Sequence, residues 1–280
     1  MKLVFDLFKL RIGFAIAATA LAGVAATPGG ALPAWNMAVL ALAVLVASAA
    51  AGAFNQYIEH DLDARMDRTR NRAFITGRLT PHAGWLWLIG ALVAGATAAA
   101  AAATNGLAAA FVFLGAFFYG VVYTVWLKRR TWWNIVVGGL AGSFAVLAGS
   151  AAVSPEMSPA ALALALVLFL WTPPHFWSLA IAFKEEYELA GVPMLPVVVG
   201  TPAAARAVLA NTLVLVAASF VPVWFGLGPV YLVAALAGGT LFVVRSVQLA
   251  RRPSRASAMA NFHASLVQLS LLIVGAWFAG

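Results

Sequence analysis

Residues 12–72 read IGFAIAATALAGVAATPGGALPAWNMAVLALAVLVASAAAGAFNQYIEHDLDARMDRTRNR. From 12 to 58 there is no Asp, Glu, Lys or Arg; then Glu59, Asp61, Asp63 and Asp67 fall within nine positions. Arginines at 65, 68, 70, 72 and 78 are interleaved and follow. A membrane-crossing helix needs about 20 apolar residues. The turn-forming TPGGALP at 27–33 divides the run, so it predicts two crossings, the second ending in an acidic and basic cluster.

The rest of the chain repeats this pattern. Charge-free runs cover 79–127, 131–155, 157–183, 207–244 and 256–280. The 280 residues are 64% hydrophobic and only 9% charged, whereas a soluble domain is about a quarter charged. The bilayer is therefore the main solvent. In lipid the backbone must bond within its own segment, which favours helices, and the alternation of a membrane barrel is absent. Further breaks at TNG 104–106 and FGLGP 225–229 give nine predicted spans, at about 10–27, 35–57, 83–103, 106–126, 133–152, 158–181, 205–225, 229–250 and 261–279. The expected fold is an all-α, polytopic membrane helix bundle, one domain over residues 1–280, with the eighth helix running past Arg245. The basic start reads as a retained helix rather than a cleaved signal. With no cysteine, disulfides and thiolate metal sites are excluded. No repeat of 20–50 residues is evident.

Placing the N-terminus inside puts Lys2, Lys9, Arg11 and every other Lys and Arg on one side. The opposite loops carry only Glu156. The positive-inside rule then predicts N-in, C-out. This rule accounts for most of the net charge of +8, and anionic lipid would add attraction. Nucleic acid is an unsuitable partner, because no polar domain exists to carry a readout surface.

Carboxylates hardly affect orientation, yet seven of the nine cluster on the basic side: Glu59, Asp61, Asp63, Asp67, Glu185, Glu186 and Glu188. Asn55, Glu59, Asp63 and Asp67 are four apart, so a helix continuing past the membrane edge aligns them on one face. Like charges at that spacing cost only about 0.2–0.5 kcal/mol per pair. A solvated helix end is thus one reading. The other is oxygen ligation of a hard cation such as Mg2+, which takes one or two carboxylates and leaves other positions to water and phosphate. The second acidic group on the same side favours the cation.

Two more stretches belong to that side. In YTVWLKRRTWWN, 123–134, Lys128 and Arg129 suit phosphate oxygens, as a point charge and a bidentate fork. The bland alternative is a topogenic basic loop flanked by belt tryptophans. In WTPPHFWSLAIAFKEEYELAGVPMLPVVVG, 171–200, Pro173 and Pro174 are expected to break or kink the sixth helix. His175 follows them. A packed histidine and a ligand-facing one are both open readings there.

Together these stretches resemble the UbiA-type membrane prenyltransferases, in the form seen in their heme O synthase branch. NQYIEHDLDARMDRTRNR is similar to the family's first aspartate-rich motif, YTVWLKRRT to its tyrosine-lysine motif, and WTPPHFW with KEEYELAGVPMLP to its second acidic loop. The resemblance implies a nine-helix bundle with its active site toward the cytoplasm of a bacterial inner membrane. It implies farnesyl diphosphate as donor, heme B as acceptor, and Mg2+ as cofactor. It places Asn55, Glu59 and Asp63 at the first motif's metal positions, joined by Glu186, and Tyr123 and Lys128 at the second motif's catalytic positions. Arg68, Arg72, Arg129, His175, Lys184, Glu185 and Glu186 are implied substrate contacts. Handover of product to heme A synthase or to cytochrome oxidase assembly would follow. Glu59, Glu185 and Glu186 stand where the family commonly has Asp. The stretch 138–153 lacks the family's frequent proline pair, which touches acceptor identity: a quinone precursor or chlorin is the alternative acceptor. A secondary transporter is the rival of another class, though no Asp, Glu, Lys or Arg lies mid-span.

Overall fold

A computed structural model describes residues 2–29 and 32–278, the Lys2 side chain excepted. Gly30 and Ala31 of the first predicted break, and Ala279 at the end of the ninth predicted span, lie outside the described residues. All regular elements within them are helical. Eight are long and apolar enough to cross a membrane, and a further apolar helix has 16 residues. In chain order these are α1 (Leu10–Ala25), α2 (Ala34–Ile58), α3 (Gly84–Ala103), α4 (Gly106–Leu127), α5 (Asn134–Val153), α6 (Pro159–Ala182), α7 (Thr201–Trp224), α8 (Pro229–Arg251) and α9 (Arg255–Trp277). The chain is a multi-pass membrane helix bundle.

Local chemistry sets most of the ends. Asn105 and Ser158 cap α4 and α6 by accepting from the amides of Ala108 and Ala161. Ser254 and Ser257 form a reciprocal capping box at the start of α9. That box starts the helix at Arg255 rather than at 261, because it draws a polar first turn into the element. Proline in the first turn likewise starts α7 at Thr201.

Successive helices pack against one another around a ring, and α9 also contacts α1. Glycines let α1 and α5 touch backbone to backbone. A Cβ on Gly23 would lie 2.1 Å from the Val146 carbonyl oxygen, and one on Gly149 1.9 Å from that of Ala20. Close approach at small residues is the usual route to helix association in lipid, where dispersion and not hydrophobicity drives contact.

Two expectations need correction. The helix through the first acidic cluster does not run on to Asp67. It ends at Ile58, Glu59 takes the cap position, and a four-residue helix, His60–Asp63, follows. The amide of Glu59 still bonds Asn55 O at 3.0 Å and that of Asp63 bonds Glu59 O at 2.8 Å, so these three stay in line. Asp67 turns away and pairs with Arg70 at 3.1 Å on the open surface. Secondly, of the break or kink expected at Pro173 and Pro174, the break does not occur: α6 is continuous through them. The Leu170 carbonyl, which Pro174 has no N–H to meet, accepts instead from Asn211 Nδ2 of α7 at 2.6 Å.

Candidate active site

The site is built where the ends of α2 and α4 meet the N-terminal segment. At the end of α2, Asn55 is 3% exposed and the cap residue Glu59 is fully buried, and Asp63 of the short helix that follows is 3% exposed. Leaving a carboxylate there without a partner costs several kcal/mol by general estimates, about 3–5 when one member of a buried pair is lost. The chain supplies a cation to each: Lys128 bonds Glu59 Oε2, and Arg72 bonds Asp63 Oδ2. Glu59 Oε1 is buried with no partner among the described residues.

The reach of Lys128 depends on the inner part of α4. Residues Phe118–Leu127 form a π-helix, in which hydrogen bonds span five residues. The Lys128 amide bonds Tyr123 O at 2.9 Å, and the Thr124 hydroxyl bonds Tyr119 O at 2.8 Å. In an α-helix, residues five apart sit about 140° apart; the wider turn brings Tyr123 and Lys128 together, with the ammonium 5.7 Å from the ring centroid. Tyr119 stacks on Tyr123 at 5.6 Å. A Cβ on Gly138 would come within 2.9 Å of the Tyr123 ring, so that glycine lets α5 close against it.

Lys9, treated in the sequence only as a topology charge, enters this lattice. Its ammonium donates to Asn55 Oδ1 at 2.7 Å and to the Tyr119 hydroxyl at 3.0 Å. Asn55 Nδ2 donates to Thr124 Oγ1 at 3.1 Å. Gln56 Nε2 donates to the carbonyls of Asp6 and Leu7, at 2.8 and 3.0 Å, tying a short N-terminal helix, Lys2–Leu7, to α2. Beside the lattice lies a cavity of about 290 Å³ whose lining includes Lys9, Arg68, Arg72, Arg78, Asn71 and Gln56. Four cationic side chains on one small cavity suit an anionic group.

The remaining predicted residues lie on the surrounding loops. Arg129 is committed to Asp61 by a fork of 2.9 and 2.7 Å, with both side chains exposed. That bond lowers the Asp61 carboxyl from its ordinary value and raises Arg129. Glu186 accepts from the Arg68 amide, and Arg68 donates to the Tyr187 hydroxyl, each at 3.3 Å. Glu185 is exposed and Lys184 half-buried, and neither forms an ion pair among the described residues. No three acidic or histidine side chains among the described residues gather closely enough to hold a metal by themselves, and Glu186 here faces the Arg68 amide.

His175 is buried in α6, stacked between Trp171 and Phe262 at 4.1 and 4.4 Å. Its Nδ1 lies 2.6 Å from Ser265 Oγ, and the Ser265 hydroxyl donates to Phe262 O at 2.6 Å.

The fold and this site define a polytopic membrane bundle with a buried acid–base cradle at the end of its second and fourth helices. Residues 16–272 match the UbiA prenyltransferase family, and the chain belongs to that family of membrane prenyltransferases. Protoheme IX farnesyltransferase 2 of Paramagnetospirillum magneticum is 58% identical, covering 98% of this chain and 95% of the relative. Protoheme IX farnesyltransferase 1 of the same organism is 47% identical, covering 96% and 95%. Among solved structures, a digeranylgeranylglyceryl phosphate synthase superposes with a TM-score of 0.80 at 14% identity, covering 99% of this chain and 97% of that one. A UbiA homologue from Archaeoglobus fulgidus bound to DMAPP and Mg2+ gives 0.70 at 14% identity, covering 96% and 98%.

Proposed function

We propose that this prenyltransferase moves a farnesyl group from farnesyl diphosphate to a vinyl group of heme B, giving heme O, at the cytoplasmic face of a bacterial inner membrane. The observation that carries the donor half is Glu59: a fully buried carboxylate with one oxygen on Lys128 and the other without a partner among the described residues. Such an oxygen, beside Asn55 and Asp63, fits a hard divalent cation. The acceptor half is supported by the relatives named protoheme IX farnesyltransferase.

Asn55, Glu59 and Asp63 would hold Mg2+, which when bound supplies Lewis-acid charge to the leaving diphosphate. Arg68, Arg72 and Lys9, on the rim of the basic cavity, would hold the diphosphate oxygens. The allylic C1–O bond then breaks with its electron pair on the diphosphate. Tyr123 and Tyr119 would turn aromatic faces to the allylic cation, worth about 1–2 kcal/mol each in a dry site. The vinyl group adds to C1, and water captures the resulting cation and loses a proton to solvent. His175, stacked between Trp171 and Phe262, would contact the heme. An unchanged heme absorption spectrum together with full activity in His175→Ala removes that assignment.

The deciding assay supplies membranes with Mg2+, farnesyl diphosphate and either heme B or a hydroxybenzoate, and identifies the product by mass. A farnesylated heme is expected; a prenylated hydroxybenzoate would assign a quinone precursor instead. Glu59→Ala and Asp63→Ala should each lose at least about 100-fold in turnover while remaining folded membrane proteins. Near-normal turnover in either variant sinks the metal assignment.

A further inference from the structure

We infer that Lys128 and Arg72 stand on Glu59 and Asp63 as internal stand-ins for the divalent cation, and pass from carboxylate to diphosphate as metal and diphosphate bind together. The inference rests on the proposed metal and diphosphate reading of this site and assigns its binding order.

Three observations carry it. Each inner carboxylate of the Asn55–Glu59–Asp63 face is already neutralised by a cation from another part of the chain. The carboxylates of these pairs are buried and their cations half-buried: Lys128 and Glu59 side chains are 13% and 0% exposed, Arg72 and Asp63 23% and 4%. Charges so placed interact strongly and cannot be left single. Finally, Glu59 keeps one oxygen without a partner among the described residues, which leaves a coordination position for a cation while the ammonium still holds the other oxygen.

A dication entering there meets an ammonium and a guanidinium at close range. Like charges repel in a buried site, so metal alone binds weakly. Diphosphate alone is also disfavoured, since Lys128 and Arg72 are held by carboxylates. When both arrive, the dication neutralises the carboxylates and the freed cations meet phosphate oxygens. Arg72 need not travel far, because it already lines the basic cavity together with Lys9, Arg68 and Arg78. Lys128 keeps the Tyr123 face throughout. By linkage, each ligand must raise the affinity of the other by the same factor.

The test is Mn2+ binding to the purified full-length protein, read from the free-ion electron paramagnetic resonance signal. It is run with and without inorganic pyrophosphate, corrected for the Mn2+–pyrophosphate complex. The wild-type chain should bind Mn2+ at least about tenfold more tightly with pyrophosphate present. Lys128→Gln and Arg72→Gln should each bind Mn2+ alone about tenfold more tightly than wild type, and gain less from pyrophosphate. Lys128→Arg, which keeps the charge, should behave as wild type. Circular dichroism identifies any misfolded variant, in which case the other glutamine variant decides. If the glutamine variants bind Mn2+ alone no more tightly than wild type while wild type shows the pyrophosphate effect, the exchange is wrong. If no protein binds Mn2+ under either condition, the metal reading itself falls and takes the exchange with it.

Discussion

Among the described residues Lys9 is one of two non-glycine residues with positive φ, at 48°, a conformation that costs about 1–2 kcal/mol for an ordinary side chain. The backbone turns there to point the side chain at Asn55. Desolvation, reinforced by Arg72 and then Lys128 and opposed by Glu59 and Asp63, lowers its pKa to about 7. The folded value lies below the unfolded one, so between about pH 7 and 10 the unfolded chain binds the extra proton. Stability therefore rises with pH across that window, and the burial penalty is fully present below it. Competitive labelling of lysines with mass-spectrometric readout should give a midpoint of about 7 at Lys9; an ordinary lysine titrates near ~10.4. A midpoint at the ordinary value would mean that the amine is solvated. Nothing in the sequence marked this residue, because its partner is 46 positions away and lysines at a span's inner end are common for topology alone. Asn55, Glu59 and Asp63 were legible because their contact is local: spacing of four along one helix face, which survives the cap at Glu59.

The inner half of α4 sets the register of the site. YTVWLK places Tyr123 and Lys128 five apart, a spacing that an α-helix would splay and the π-helix gathers. Apolar periodicity cannot distinguish those two geometries in a segment this uniformly greasy, so the π turn was not visible in the sequence. Inserting one alanine after Val125 would place Tyr123 and Lys128 six apart and turn Lys128 by about 100° away from Glu59. Turnover should fall by at least about 100-fold through misplacement, with helix content by circular dichroism unchanged. An insertion variant with normal turnover would show that the placement of Lys128 by the wide turn is incidental. The α1–α5 contact is a second element-level device. Gly149→Ala has no room for its Cβ against the Ala20 carbonyl, and overpacking of this kind costs about 1–3 kcal/mol. The melting midpoint in detergent should drop by several degrees, and an unchanged midpoint would mean that the two helices can separate freely.

Across the whole molecule, the loops that follow α2, α4, α6 and α8 meet at one end of the bundle. Arg129 joins Asp61, Arg68 joins Glu186, and Arg68 and Arg255 both lie over the Phe183 ring, at 5.6 and 5.0 Å. The nine acidic and seventeen basic residues are thus divided by end rather than spread over the surface, and only Glu156 falls in the loops at the other end. Apolar runs and loop charges made this division legible, since lipid permits few other placements. Tertiary pairings such as Lys128–Glu59 were not, because they depend on how the helices pack. Positive residues stay on the cytoplasmic side during insertion, so the active end should face the cytoplasm and Glu156 the outside. The chain has no cysteine, which makes the orientation directly measurable. Glu156→Cys and Asp67→Cys replace exposed residues outside the proposed site. In intact spheroplasts a membrane-impermeant maleimide should label Glu156→Cys, and label Asp67→Cys only after the membrane is opened. The reverse pattern would place the cradle on the outer face, away from cytoplasmic prenyl diphosphate, and would overturn both the orientation and the substrate route.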